Sequence, residues 1–146
     1  DRDVTGVQTC ALPISGLSDD NRATCSALGT VLDRTTITEP LGAGLAVAGA
    51  SGGTLSNSFV GTALEGRLRA KTGTLSNAAD GPGGKPGAKA LSGYVPIDGG
   101  GNIRFTMLLN GPTITDLADY GPWWKTLGSV LSSYPSGPTP AEILRP

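Results

Sequence analysis

Hydrophobic and polar positions along the chain alternate between helical and strand-like spacing. Cys25, Leu28, Val31 and Leu32 recur at helical intervals, and Thr24 stands where a hydroxyl can cap that helix. Pro40 to Ala50 is apolar and rich in Ala and Gly, which predicts a short, closely packed helix broken by Ser51-Gly52-Gly53. Leu55 to Leu64 predicts a further short helix. Arg67 to Leu75 (RLRAKTGTL) alternates in side-chain character and predicts a strand. The polar, Gly/Pro-rich stretch from Ala78 to Lys89 predicts a loop. Leu91 to Ile97 and Ile103 to Leu109 predict two more strands, joined by a turn at Asp98-Gly99-Gly100-Gly101-Asn102. Strands this closely spaced form an antiparallel meander. Residues 114–134 predict a helix carrying Leu117, Trp124, Leu127, Val130 and Leu131, with Pro122 opening its regular part. Pro135 to Pro140 ends it and begins a Pro-rich tail over residues 135–146.

Composition narrows the function. With 11 basic and 12 acidic side chains the formal charge is −1, so the basic excess needed by a nucleic-acid or anionic-membrane binder is missing. There is no histidine, which removes the Ser-His-Asp triad, the Cys-His dyad and most zinc sites. No apolar run approaches the roughly 18–20 residues of a transmembrane helix. The 23 glycines and 11 prolines predict many turns and loops.

The N-terminus is of a different kind. Residues 4–14 (VTGVQTCALPI) match the conceptual translation of a common sequencing adapter, so residues 1–14 are expected to be non-native, with the protein's own sequence starting near Ser15. Without residues 1–14 the net charge is zero and Cys25 is the single cysteine, too few for a disulfide or a CxxC metal site. Ser15 to Asn21 (SGLSDDN) is turn-like.

Lys71-Thr72-Gly73-Thr74 carries the chemistry. A strand that presents an ammonium group and two hydroxyls beside a glycine suits an anionic, extended peptide end. Thr72 and Thr74 are two residues apart, so their side chains share one side of the strand and can hydrogen-bond a carboxylate. Lys71 offers positive charge to that carboxylate or to a catalytic serine. Gly73 lets another backbone or a ligand approach closely. The Thr74 N–H can donate to a developing oxyanion. Other candidates have simpler explanations. Gly81 to Lys85 lacks the spacing of a phosphate-binding loop. Cys25 reads as a small core residue. One of Trp123 and Trp124 is expected to pack the last helix on the sheet. Asp19, Asp20 and Asp116 read as solvated loop or cap positions.

RAKTGTL (Arg69 to Leu75), SGLS-x-x-N (Ser15 to Asn21), GGTL (Gly52 to Leu55) and LSGYV (Leu91 to Val95) occur here in one order. Over residues 15–134 the chain thereby resembles the C-terminal part of a class C low-molecular-mass penicillin-binding protein, the D-alanyl-D-alanine carboxypeptidase/endopeptidase family. The resemblance implies an α/β (α+β) fold of the β-lactamase/transpeptidase type, reduced to its C-terminal antiparallel strands and a helix packed on the sheet. It implies serine-type hydrolysis of peptidoglycan stem peptides ending in D-Ala-D-Ala, an acyl-serine intermediate, recognition of β-lactam antibiotics by the full-length protein, and no cofactor. It places Lys71 in the catalytic hydrogen-bond network. Thr72 and Thr74 would bind the substrate carboxylate beside Gly73, and the Thr74 N–H would form half of the oxyanion hole. A periplasmic or extracellular place in the cell envelope follows from the substrate.

Two elements of that family are missing. The residues three before Lys71, Lys85, Lys89 and Lys125 are Leu68, Pro82, Pro86 and Pro122, so there is no S-x-x-K. No asparagine has a serine two residues before it, so there is no S-x-N. The chain alone is therefore expected to be inactive. A second departure is the long Gly/Pro-rich stretch between Leu75 and Leu91. A serine β-lactamase shares the K-T-G strand and is the alternative enzyme; it would turn over a bound penicillin quickly. A non-catalytic peptidoglycan-binding module is the alternative of another class, and would lack S-x-x-K and S-x-N upstream as well.

Overall fold

The structure is a computed structural model that describes residues 22–75, 87–111, 114 and 116–135. Residues 1–14, the SGLSDDN segment and most of the tail lie outside the described residues. In chain order the elements are α1 (Cys25–Asp33), α2 (Pro40–Ala43), β1 (Ala46–Val47), β2 (Arg69–Leu75), β3 (Gly87–Pro96), β4 (Asn102–Gly111) and α3 (Leu117–Ser132). The four strands form one antiparallel sheet in the order β1-β2-β3-β4. This is the α+β arrangement of a meander with a C-terminal helix.

Strand alternation divides the sheet into two unlike faces. Ala70, Leu91, Val95 and Phe105 face one way and are buried with Leu55, Leu64, Leu68, Trp124 and Leu131. Here α3 and the turns after β1 cover the sheet. Trp124 stacks on Phe59 (centroids 6.0 Å apart, planes 8° apart) and meets Tyr120 at 4.8 Å. On the opposite face α1 lies against β3 and β4. The buried Tyr94 hydroxyl donates to the Leu32 carbonyl at 3.0 Å, adding to the bond that this carbonyl accepts from the Thr35 N–H at 3.4 Å at the end of α1. The Arg104 guanidinium meets the Asp33 carboxylate at 2.8 Å.

At Gly93, the glycine of LSGYV, β2 leaves no room for a side chain on β3. A Cβ there would meet the Arg69 carbonyl and lie 2.6 Å from Ala70 Cα. The β3–β4 hairpin turns through Gly99, Gly100 and Gly101, all at positive φ (92°, 106° and 91°). Three consecutive left-handed residues explain the glycine run.

Several expectations are corrected. Leu55 to Leu64 forms turns rather than a helix. Phe59 and Gly61 adopt φ of +61° and +73°, which no helix contains, and the Gly61 N–H donates to Glu65 Oε2 at 2.7 Å. The helix expected over Pro40 to Ala50 stops at Ala43, and a two-residue strand follows. β3 begins at Gly87, so Gly87 to Lys89 belong to a strand rather than a loop. α3 starts at Leu117, and Pro122 lies inside it instead of opening it, at the loss of one backbone hydrogen bond to the Ala118 carbonyl. Leu117 is 70% exposed and Cys25 is exposed, so neither is a core residue. Leu32 is the residue that α1 buries. The Thr24 cap forms as expected, accepting from the Ala27 N–H at 3.0 Å. Among the described residues no helix is long and apolar enough to cross a membrane.

Candidate functional site

Lys71, Thr72, Gly73 and Thr74 occupy the middle and end of β2. Backbone N–H and C=O groups alternate in direction along an antiparallel strand. The Leu68 carbonyl accepts from Ala48 N at 2.9 Å, on the β1 side. The same side therefore receives the N–H and C=O of Ala70, Thr72 and Thr74, while Lys71, Gly73 and Leu75 pair with β3. β1 accompanies β2 only at Arg69 and Ala70. Beyond Ala70, no described backbone group pairs with the outward groups of Thr72 and Thr74. Among the described residues the sheet thus ends there in an open edge.

Side chains surround this edge from both faces. Thr72 and Thr74 share the α3 face, as their spacing predicts, and Lys71 belongs to the opposite face beside Ser92. The Lys71 ammonium nevertheless reaches the edge, donating to the Thr72 carbonyl at 2.6 Å. The Thr72 hydroxyl donates to Thr54 Oγ1 at 3.0 Å. Thr54 belongs to GGTL, so that segment meets the K-T-G-T strand in space. Gly73 faces Ala90 so closely that an added Cβ would lie 3.3 Å from the Ala90 Cβ. Its lack of a side chain therefore serves the β2–β3 pairing. Across the sheet from Lys71, the Ser92 and Thr106 hydroxyls are shut from solvent without a hydrogen-bond partner.

Lys89 joins the site unannounced. Opposite Thr74 in β3, its ammonium donates to Thr74 Oγ1 at 2.8 Å. It also lies 4.3 Å from the Tyr120 ring centroid and 5.5 Å from that of Trp124. Partial burial lowers its pKa from the ordinary 10.5, because the charged form loses hydration. The signal that it belongs to a strand is the period-two continuation of Lys89-Ala90-Leu91 into LSGYV, which the neighbouring Gly/Pro run obscures.

An open strand edge flanked by two ammonium groups and two hydroxyls defines a surface suited to an extended peptide ending in a carboxylate. The chain belongs to the D-Ala-D-Ala carboxypeptidase 3 (S13) family, which it matches over residues 6–121. It is 39% identical over 116 residues to a D-alanyl-D-alanine carboxypeptidase of Actinomadura sp. (strain R39), a match covering 73% of this chain and 20% of that protein. The chain thus spans about a fifth of the length of the relative it matches. No solved structure matches it.

Proposed function

We propose that the chain is the C-terminal part of a serine-type D-Ala-D-Ala carboxypeptidase/endopeptidase of peptidoglycan metabolism, and that β2 is the strand along which the substrate peptide end is laid. The open edge beyond Ala70 carries this reading. It leaves the N–H groups of Thr72 and Thr74 and the Thr74 C=O available to a peptide added as a further strand, the Thr72 C=O being shared with the Lys71 ammonium, while side chains supply the selectivity. The Thr74 hydroxyl holds the terminal carboxylate, and the Thr72 hydroxyl joins it by turning its proton from Thr54 Oγ1 to the ligand. The Thr74 N–H, directed outward, is half of the oxyanion hole. The Lys71 ammonium stands at the same edge, available to the catalytic hydrogen-bond network.

The nucleophilic serine and its lysine base belong to S-x-x-K and S-x-N elements that these 146 residues do not contain. In the whole enzyme a β-lactam, which mimics an acyl-D-Ala-D-Ala end, takes the place of the substrate. The enzyme acts in the cell envelope, where its substrate is. A fluorescent penicillin tests this division of labour. The 146-residue chain is expected to remain unlabelled, whereas a longer product of the same gene bearing S-x-x-K acquires a stable label. In that product Lys71→Ala slows acylation by about 100-fold, the order seen when a preorganised electrostatic group is removed. Labelling of the short chain, or a long product that never labels, overturns the reading.

A further inference from the structure

Among the described residues Lys89 has no anionic partner. It sits on the inner side of the Thr74 end of β2, half-buried against the Tyr120 and Trp124 rings. No described carboxylate is in ion-pair contact with it. Asp98 pairs with Arg67 and Asp33 with Arg104, Glu39 and Glu65 accept from backbone N–H groups, and Asp116 and Asp119 at the start of α3 form no ion pair with Lys89. The aromatic faces attract the ammonium without neutralising it.

The hydrogen bond from Lys89 determines what Thr74 can do. A hydroxyl has one proton to give and lone pairs with which to accept. With Lys89 Nζ donating to Thr74 Oγ1 at 2.8 Å, the Thr74 proton must point away from Lys89. Thr74 thereby keeps its proton for a partner other than Lys89, and the neighbouring positive charge polarises its O–H. A donor backed by a cation favours an anionic oxygen over a neutral one.

We propose that Lys89 is a specificity-determining residue: through Thr74 and through its own charge, it makes the end of the β2 edge select peptides with a free C-terminal carboxylate over those whose C-terminus is an amide. This inference rests on the reading of β2 as the strand that takes the peptide. It assigns Lys89 a positioning role, with Thr74 in direct contact with the ligand.

The isotope-labelled 146-residue chain provides the test by NMR titration with acetyl-D-Ala-D-Ala and with the same dipeptide ending in a carboxamide. The acid is expected to shift the Thr72 and Thr74 amide signals and the Lys89 side-chain signals, and to bind about tenfold more tightly than the carboxamide, as a charge-assisted hydrogen bond implies. Lys89→Met is expected to remove that preference by weakening the acid about tenfold while leaving the carboxamide unchanged. Lys89→Arg is expected to retain it. A purely structural lysine would weaken both ligands alike. Should Lys89→Met not fold, Lys89→Gln and the wild-type Lys89 shifts with each ligand carry the same decision. Equal acid preference in wild type and Lys89→Met, with shifts still confined to the β2 edge, overturns the role of Lys89 alone. Neither ligand shifting the β2 edge overturns the strand reading and this inference together.

Discussion

Four side chains define the candidate site, and they differ in how far their roles can be traced along the chain. Lys71, Thr72 and Thr74 are contiguous, so the two-residue period of a strand suffices to place the threonines together and the lysine apart. Lys89 reaches Thr74 across 15 positions, and its partnership exists only once the β2–β3 register is set. Its burial has a measurable consequence. A lysine whose pKa is lower in the folded protein than in the unfolded chain binds its proton less well when folded. It therefore detracts from stability at neutral pH, and that deficit is relieved as pH rises from the lowered value toward 10.5. Denaturant unfolding measured across this alkaline window should show a more positive slope of stability against pH in wild type than in Lys89→Met. Parallel slopes in the two proteins would show that Lys89 is as well hydrated folded as unfolded.

At the scale of elements, β2 is a strand with two unlike edges. Lys71 and Gly73 direct their N–H groups into the ladder with β3, and Thr72 and Thr74 direct theirs outward. Amide exchange along β2 should accordingly alternate, slow at Lys71 and Gly73 and fast at Thr72 and Thr74, in a hydrogen-exchange NMR experiment. Uniform protection across the four residues would mean that the edge is covered. The strands were the most legible part of the sequence, because alternation and the Gly99-Gly100-Gly101 turn agree on one meander. The segment between β1 and β2 was not. Leu55 and Leu64 have an apolar spacing compatible with a helix, yet Phe59 at φ +61° and Gly61 at +73° break the chain into turns that still bury both leucines. Apolar spacing reports which residues go inside, and over so short a stretch it does not distinguish a helix from turns that deliver the same two side chains. Pro122 misled in another way. A proline is best accommodated in the first helical turn, but here the helix begins earlier, at Leu117, and the proline sits between Tyr120 and Trp124, whose rings meet each other and, through Trp124, Phe59.

For the whole molecule, cohesion passes through Trp124. The sheet contributes Ala70, Leu91, Val95 and Phe105 to one core, the turns contribute Leu55, Leu64 and Leu68, and α3 closes over both with Trp124 and Leu131. Trp124 is 7% exposed, whereas its neighbour Trp123 is 54% exposed. The adjacent pair therefore contains its own control. Truncating a buried tryptophan to alanine costs roughly 3–5 kcal/mol, a large part of the roughly 5–15 kcal/mol that stabilises an ordinary domain. Surface truncations usually stay within about 0.5 kcal/mol. Trp124→Ala is thus expected to lower the thermal unfolding midpoint steeply or abolish a cooperative transition, and Trp123→Ala to leave the midpoint within a few degrees of wild type. The same substitution removes one of the two rings beneath the Lys89 ammonium, so in any Trp124→Ala protein that still folds, the Lys89 side-chain resonances should move as well. A Trp124→Ala protein that unfolds like wild type would place the cohesion of sheet, turns and helix elsewhere, in the aliphatic contacts of Leu64, Leu91 and Leu131.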